Sequence, residues 1–116
     1  MPNTEYFPQR PNKHPMIYAY EDKIPEHKGL LKVGYTSIDV DKRVAQQFPI
    51  KSPDGKLPYR IVVRESAMYP DGSNFKDHDV HKVLERMRGV IRKDGEWFKC
   101  TVKDVLSAIL KARDGR

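Results

Sequence analysis

Two short runs constrain this chain more than any other feature: Met16-Ile17-Tyr18-Ala19-Tyr20 and Leu30-Leu31-Lys32-Val33-Gly34-Tyr35-Thr36. Both are rich in β-branched and aromatic residues, which suit a pleated, half-buried surface. The stretch between them, Glu21 to Gly29, is polar and punctuated by Pro25 and Gly29, so it reads as a loop. Strand, loop and strand predict a hairpin. Alternate residues of a strand share a face, so Tyr18 and Tyr20 stand on one side of the first strand and Ile17 and Ala19 on the other. On the second strand Lys32 and Gly34 share a face, opposite Leu31, Val33 and Tyr35. If Tyr18 pairs across from Lys32, a phenol and an ammonium meet beside a glycine that leaves access open.

The remaining periodicities add helices to this hairpin. Thr36-Ser37 offers an N-cap for a helix over Ile38 to Phe48, with Val40, Val44 and Phe48 as its buried stripe. Arg43 borders that stripe, and Gln47 follows one turn on. A loop with a Pro53-Asp54-Gly55 turn leads to a third strand over residues 59 to 67, where Ile61 and Val63 share a face. Phe75 to Arg88 reads as an amphipathic helix with Val80, Val83, Leu84 and Met87 inward. Asp77, His81 and Glu85 line an adjacent stripe, a pattern that on its own is more often a solvated helix surface than a metal site. After a Lys93-Asp94-Gly95 turn, Trp97 and Phe98 read as core anchors, with base stacking the functional alternative for Trp97. Thr101 to Asp104 is a capping-box variant opening a last helix, with Val102, Val105, Leu106, Ile109 and Leu110 as its apolar stripe. The expected architecture is a single small α+β domain over residues 16–113. It has a three-stranded, mainly antiparallel sheet flanked by about three helices, behind an extended arm of residues 1–15.

Composition narrows the function classes. A chain of 116 residues fits one domain, and 38% hydrophobic with 33% charged residues describes a globular chain with a polar surface. A net charge of +6 points toward a polyanionic partner. Cys100 is the only cysteine, which excludes an intramolecular disulfide, fits a reducing compartment and suits a small apolar position near the core. With His78 and His81 it supplies too few soft ligands for a structural zinc. No apolar run approaches the roughly 18 residues of a membrane span and no signal-peptide pattern opens the chain, so the expected compartment is cytoplasmic, with no membrane partner.

Taken in order, Ile17-Tyr18, Lys32-Val33-Gly34, Arg43 on a helix, Asp77-His78-Asp79-Val80-His81 on a helix, and Gly95-Glu96-Trp97-Phe98 resemble the GIY-YIG nuclease superfamily. The closest similarity is to its phage-type and helicase-associated branch, where lysine commonly replaces the tyrosine of the second motif. The resemblance spans residues 16 to about 110. It implies a metal-dependent DNA endonuclease in which Tyr18 acts as general base or relay and Lys32 favours the phenolate. Arg43 would clamp the scissile phosphate, a task its fork of donors suits. The family's metal-binding acid, four residues before a histidine, falls on Asp77, one methylene shorter than the usual glutamate, with Glu85 and Glu96 as competitors for Mg²⁺ or Mn²⁺. Gly34, Gln47 and His81 would support the site, and Tyr20 and Lys42 would contact nucleic acid. DNA is the implied partner, together with a fused or associated helicase or other DNA-processing module, so an excised N-terminal domain is one expectation. Two departures stand out. Gln47 occupies a position where many members carry tyrosine or histidine, and an amide accepts no proton at neutral pH. No residue matches the asparagine found late in some relatives. Gln47 and the shortened acid at Asp77 favour an alternative, a catalytically inactive nucleic-acid-binding module of the same fold. A surface role for Arg43 in a solvated Asp-Lys-Arg run, and a protein-interaction domain, also remain open at this level.

Overall fold

The computed structural model describes residues 14–50 and 53–115, so most of the expected N-terminal arm lies outside the described residues. The order is β1 (Met16–Asp22), a 3-10 turn (Pro25–His27), β2 (Leu30–Thr36), α1 (Val40–Ala45), β3 (Tyr59–Ser66), α2 (Asp77–Arg86), β4 (Ile91–Asp94), β5 (Trp97–Lys99) and α3 (Val102–Asp114). The sheet has five antiparallel strands in the order β3-β1-β2-β5-β4, not the three expected. The two additions are a short hairpin around Gly95, whose φ of 52° lies in the left-handed region that glycine tolerates. Ile91-Arg92-Lys93-Asp94 is exposed throughout, so this edge strand carries no alternation for a reader to find.

The predicted hairpin of β1 and β2 forms with a different register. Tyr18 lies opposite Gly34, and Tyr20 lies opposite Lys32. The two faces of the sheet separate as the alternation requires. One carries Ile17, Ala19, Leu31, Val33, Val63 and Phe98, covered by the inner faces of α2 and α3. The other carries Tyr18 and Tyr20 beneath Val40 and Val44 of α1, with Phe48, Tyr59, Ile61 and Trp97 around them. A β-bulge makes the second face possible. Ala19 pairs with Val63 but Tyr20 pairs with Ile61, leaving Val62 as the extra residue. Ile61 and Val63, expected to share a face, are thereby sent to opposite ones.

The helices are shorter or differently buried than their periodicity suggests. Asp39, not Thr36 or Ser37, caps α1, its carboxylate accepting the Lys42 N–H at 3.2 Å. Thr36 instead accepts the Ile38 N–H at 3.0 Å in a local turn. Residues 46–48 leave α1 through tightened turns, with Gln47 N–H donating to the Val44 carbonyl and Phe48 N–H to that of Ala45. In α3 the capping box of Thr101 and Asp104 closes at 3.1 and 2.9 Å. Its buried seam is Val105, Ala108, Ile109 and Ala112, whereas Val102, Leu106 and Leu110 are exposed. The alanines let α3 approach its neighbours closely, which turns the helix by one row from the stripe that counting leucines predicts. No helix among the described residues is long and apolar enough to cross a membrane.

Candidate functional site

The face beneath α1 brings three of the singled-out side chains, Tyr18, Tyr20 and Lys32, and the Arg43 backbone carbonyl onto one amide. The Gln47 carboxamide oxygen accepts from the Tyr20 hydroxyl at 2.7 Å and from the Lys32 ammonium. An ammonium only donates, so this contact orients the amide. Its Nε2 then faces the other way, donating to the Tyr18 hydroxyl at 3.1 Å and to the Arg43 carbonyl at 3.4 Å. Gln47 is thus the hub of the site. The sharp turn that ends α1 is what swings it over β1 and β2.

Gly34 supplies the space for Tyr18. A Cβ built on Gly34 would sit 2.6 Å from both Cζ and the hydroxyl oxygen of Tyr18. The glycine therefore does not merely leave an approach open: the Tyr18 ring occupies the volume that any other side chain would fill. Tyr18 and Tyr20 stack with ring centres 6.2 Å apart and planes within 8°. Each is 2% exposed. For Tyr20 this corrects the expectation of a nucleic-acid contact. Its ring is enclosed by Phe48, Tyr59 and Trp97, and it serves as inner support for Gln47.

The electrostatics run against a readily formed phenolate. Burial raises the Tyr18 pKa above that of an ordinary tyrosine, and the Glu96 charge adds to the rise. The Gln47 hydrogen bond and the Arg43 guanidinium pull it back only in part. Tyr20 is raised further, by burial first and then by the neighbouring Tyr18, Asp22 and Glu96. The expected partnership of Lys32 with Tyr18 is replaced. Lys32 faces Tyr20 and Gln47, approaches Glu96 at 3.8 Å, and leaves Arg43 as the cation acting on Tyr18. Arg43 is exposed, with its guanidinium 3.3 Å from the Gln46 side chain, and it lines a shallow cavity with Tyr35, Thr36 and Ser37. Lys42, next to it, is exposed on the same short helix.

The three carboxylates considered as metal ligands have different surroundings. Glu85 is engaged by Arg92 at 3.1 Å. Glu96 sits in the site, paired with Lys32. Asp77 opens α2, is half-buried, and makes no ion pair or side-chain hydrogen bond with another described residue. Its neighbour Lys76 lies over the ring of Tyr35, which also lines the Arg43 cavity, so the start of α2 stands at the edge of the site. His81 is not a surface ligand. It is buried, and its Nε2 lies 2.8 Å from the Val33 carbonyl, to which it donates. That bond ties α2 to β2 one residue before Gly34. Among the described residues no three His, Cys, Asp or Glu gather into a preformed metal cage. Mg²⁺ is held by one or two carboxylates together with substrate phosphate oxygens and water, so this donor set fits a hard ion recruited with substrate.

Sequence reasoning missed a second acid–base pair on this face. Asp22, its carboxylate nearly inaccessible, receives His27 Nδ1 at 2.8 Å, and the imidazole stacks on Trp97 at 3.8 Å. The signal was available, because Asp22 continues the Tyr18, Tyr20 alternation. Trp97 itself is half-buried here, and Phe98 is fully buried on the opposite face.

The T5orf172 domain family model matches residues 16–113 of the chain. No curated protein and no solved structure matches.

Proposed function

Because the chain belongs to the T5orf172 domain family, which suggests a nuclease-like or nucleic-acid-binding function, we propose that it is a GIY-YIG-like DNA endonuclease that hydrolyses a phosphodiester at the Tyr18–Gln47–Arg43 cluster. The observation that carries this reading is the convergence on Gln47: Tyr18, Tyr20 and Lys32 hydrogen-bond its amide, and the helix that precedes it presents Arg43 beside Tyr18. In-line attack on phosphate is helped by a group that moves a proton and by fixed positive charge where charge develops, and a phenol, an ammonium and a guanidinium can supply these.

Each residue then has a task. Gln47 fills one acceptor position of the Tyr18 oxygen and so aims the phenolic O–H away from the amide, toward substrate. Tyr18, kept neutral by burial, works as a relay. Its oxygen takes a proton from the attacking water while its own proton passes to a phosphate oxygen. Water oxygen bonds to phosphorus, the P–O3′ bond breaks, and the electron pair leaves with the 3′ oxygen. Arg43 stabilises charge on the phosphate without ever losing its proton, and Lys32, steadied by Gln47 and Glu96, adds positive potential beside it. Asp77, the unengaged carboxylate, would hold Mg²⁺ or Mn²⁺, with Glu96 the competitor. A bound ion supplies Lewis-acid stabilisation of phosphate and leaving-group oxygens. Lys42 contacts the DNA backbone.

Strand cleavage of supercoiled plasmid, with Mg²⁺ and with chelator, tests this assignment through three carboxylate variants. Asp77→Asn should lose cleavage and Glu85→Gln should retain it. Glu96→Gln should cut more slowly, because Lys32 loses an anchor. Full activity in Asp77→Asn would reject its role as ion holder. Inactivity of the wild type, with intact binding, would leave the family's other reading, a nucleic-acid-binding module, which the non-basic Gln47 amide favours.

A further inference from the structure

Phe48, the residue after Gln47, also belongs to a second surface feature. A cavity of about 440 Å³ opens between the end of α1 and the start of β3, lined by Ala45, Phe48, Lys56, Leu57, Pro58 and Tyr59 among others. Phe48 and Tyr59 stack at 4.9 Å on its wall. Both rings also pack edge-on against Tyr20, at 5.6 and 6.1 Å, and Tyr20 holds Gln47. The cavity and the proposed cleavage site therefore share a wall. Ile50, at 85% exposure, and Leu57, at 62%, are the most exposed large apolar side chains among the described residues. Both line this cavity. Apolar groups left in water at the mouth of an aromatic hollow mark a place where something binds.

We propose that this cavity receives one unpaired nucleobase of the strand held at the Tyr18–Arg43 site, an inference that rests on the nucleic-acid reading above. The apolar walls and the one charged side chain among them, Lys56, have to be satisfied by one ligand. An apolar peptide would fill the walls but leave the Lys56 ammonium without a role. A nucleotide satisfies both, since its base has flat faces that stack on aromatic rings and its phosphate carries the negative charge. A base within a duplex is already stacked and paired, and must leave the helix to enter such a cavity. The preferred substrate is therefore a strand with an unpaired base near the scissile phosphate, whether single-stranded, frayed or branched, over continuous duplex.

The test is equilibrium binding in chelator, where nothing is cut, to a short single strand carrying 2-aminopurine at one position. The comparison probes are the same strand with an abasic site there and the matching duplex. Wild type should bind the base-bearing strand about tenfold tighter than either comparison, the increment expected of one stacked base, and should change its 2-aminopurine emission. Leu57→Asp, at an exposed position, should keep its circular dichroism and thermal midpoint while losing both the emission change and the preference. Equal wild-type affinity for all three probes overturns the inference, as does an unaltered preference in folded Leu57→Asp. An apolar peptide displacing the emission signal more effectively than nucleic acid also overturns it. Plasmid cleavage distinguishes the two levels. Cleavage that needs Tyr18, without base preference, removes the cavity assignment alone, whereas absence of nucleic-acid binding of any kind removes both.

Discussion

At the scale of single residues, the site is a packing problem solved around one phenol. Gly34→Ala places a methyl where the Tyr18 ring stands, so the ring must shift. Overpacking of this kind costs about 1–3 kcal/mol, and the displaced hydroxyl should lower cleavage far more than that loss of stability accounts for. Thermal melting and plasmid nicking on one preparation separate the two effects. A Gly34→Ala protein with wild-type cleavage would show that Tyr18 is not positioned through this contact. The same burial sets a pH dependence. Tyr18 and Tyr20 both have pKa values raised in the folded state, chiefly by desolvation. The neutral phenols therefore contribute their full stabilisation below the unfolded tyrosine value of about 10, and it is lost as pH rises toward their higher folded values. Denaturant midpoints should accordingly hold through neutral pH and fall above about pH 10, less steeply in Tyr20→Phe. An identical alkaline decline in wild type and Tyr20→Phe would assign the effect to other groups.

At the scale of elements, α2 is held by a bond that its amphipathic stripe does not reveal. His81 was legible as one of three polar residues in a row, yet it is a buried donor to the Val33 carbonyl. Periodicity identifies a face, but not what the opposing backbone leaves unpaired. His81→Ala should cost about 1–3 kcal/mol through the lost hydrogen bond, read as a lower thermal midpoint, with metal dependence of cleavage unchanged. A shifted Mg²⁺ requirement at unchanged stability would instead make His81 part of the ion site. Thr101→Ala should cost about 1 kcal/mol, since it opens the capping box of α3. The β1–β2 hairpin, its face assignment, β3 and that capping box could all be read from local pattern. The β4–β5 hairpin, the β1–β2 register, the bulge at Val62 and the buried seam of α3 could not. The hairpin is hidden because β4 is exposed throughout and shows no alternation, whereas the others depend on how one strand meets another, or on alanines whose burial shows only once another helix lies against them.

At the scale of the whole molecule, α2 and α3 cover one face of the sheet, while the short α1 and the turn that follows it cover the Tyr18 and Tyr20 face. Tyr18, Lys32 and Gln47 meet on that second face, with Gly34 beneath the Tyr18 ring, and the cation acting on Tyr18 is Arg43 instead of Lys32. Gln47 reads in sequence as a defect, because its amide cannot act as a base. Its role as hub appears only when two strands and a helix end meet. A chain of net charge +6 should bind DNA with a steep salt dependence. Lys42→Ala should lower the slope of log affinity against log salt by about one, and an unchanged slope would place Lys42 away from the backbone. The most direct test of the central claim is Mg²⁺-dependent nicking of plasmid by Tyr18→Phe, which keeps the ring over Gly34 and removes only the hydroxyl. The variant should fold, bind DNA and cut it at least about a hundredfold more slowly than wild type. Nicking by Tyr18→Phe at the wild-type rate would remove Tyr18 from the reaction.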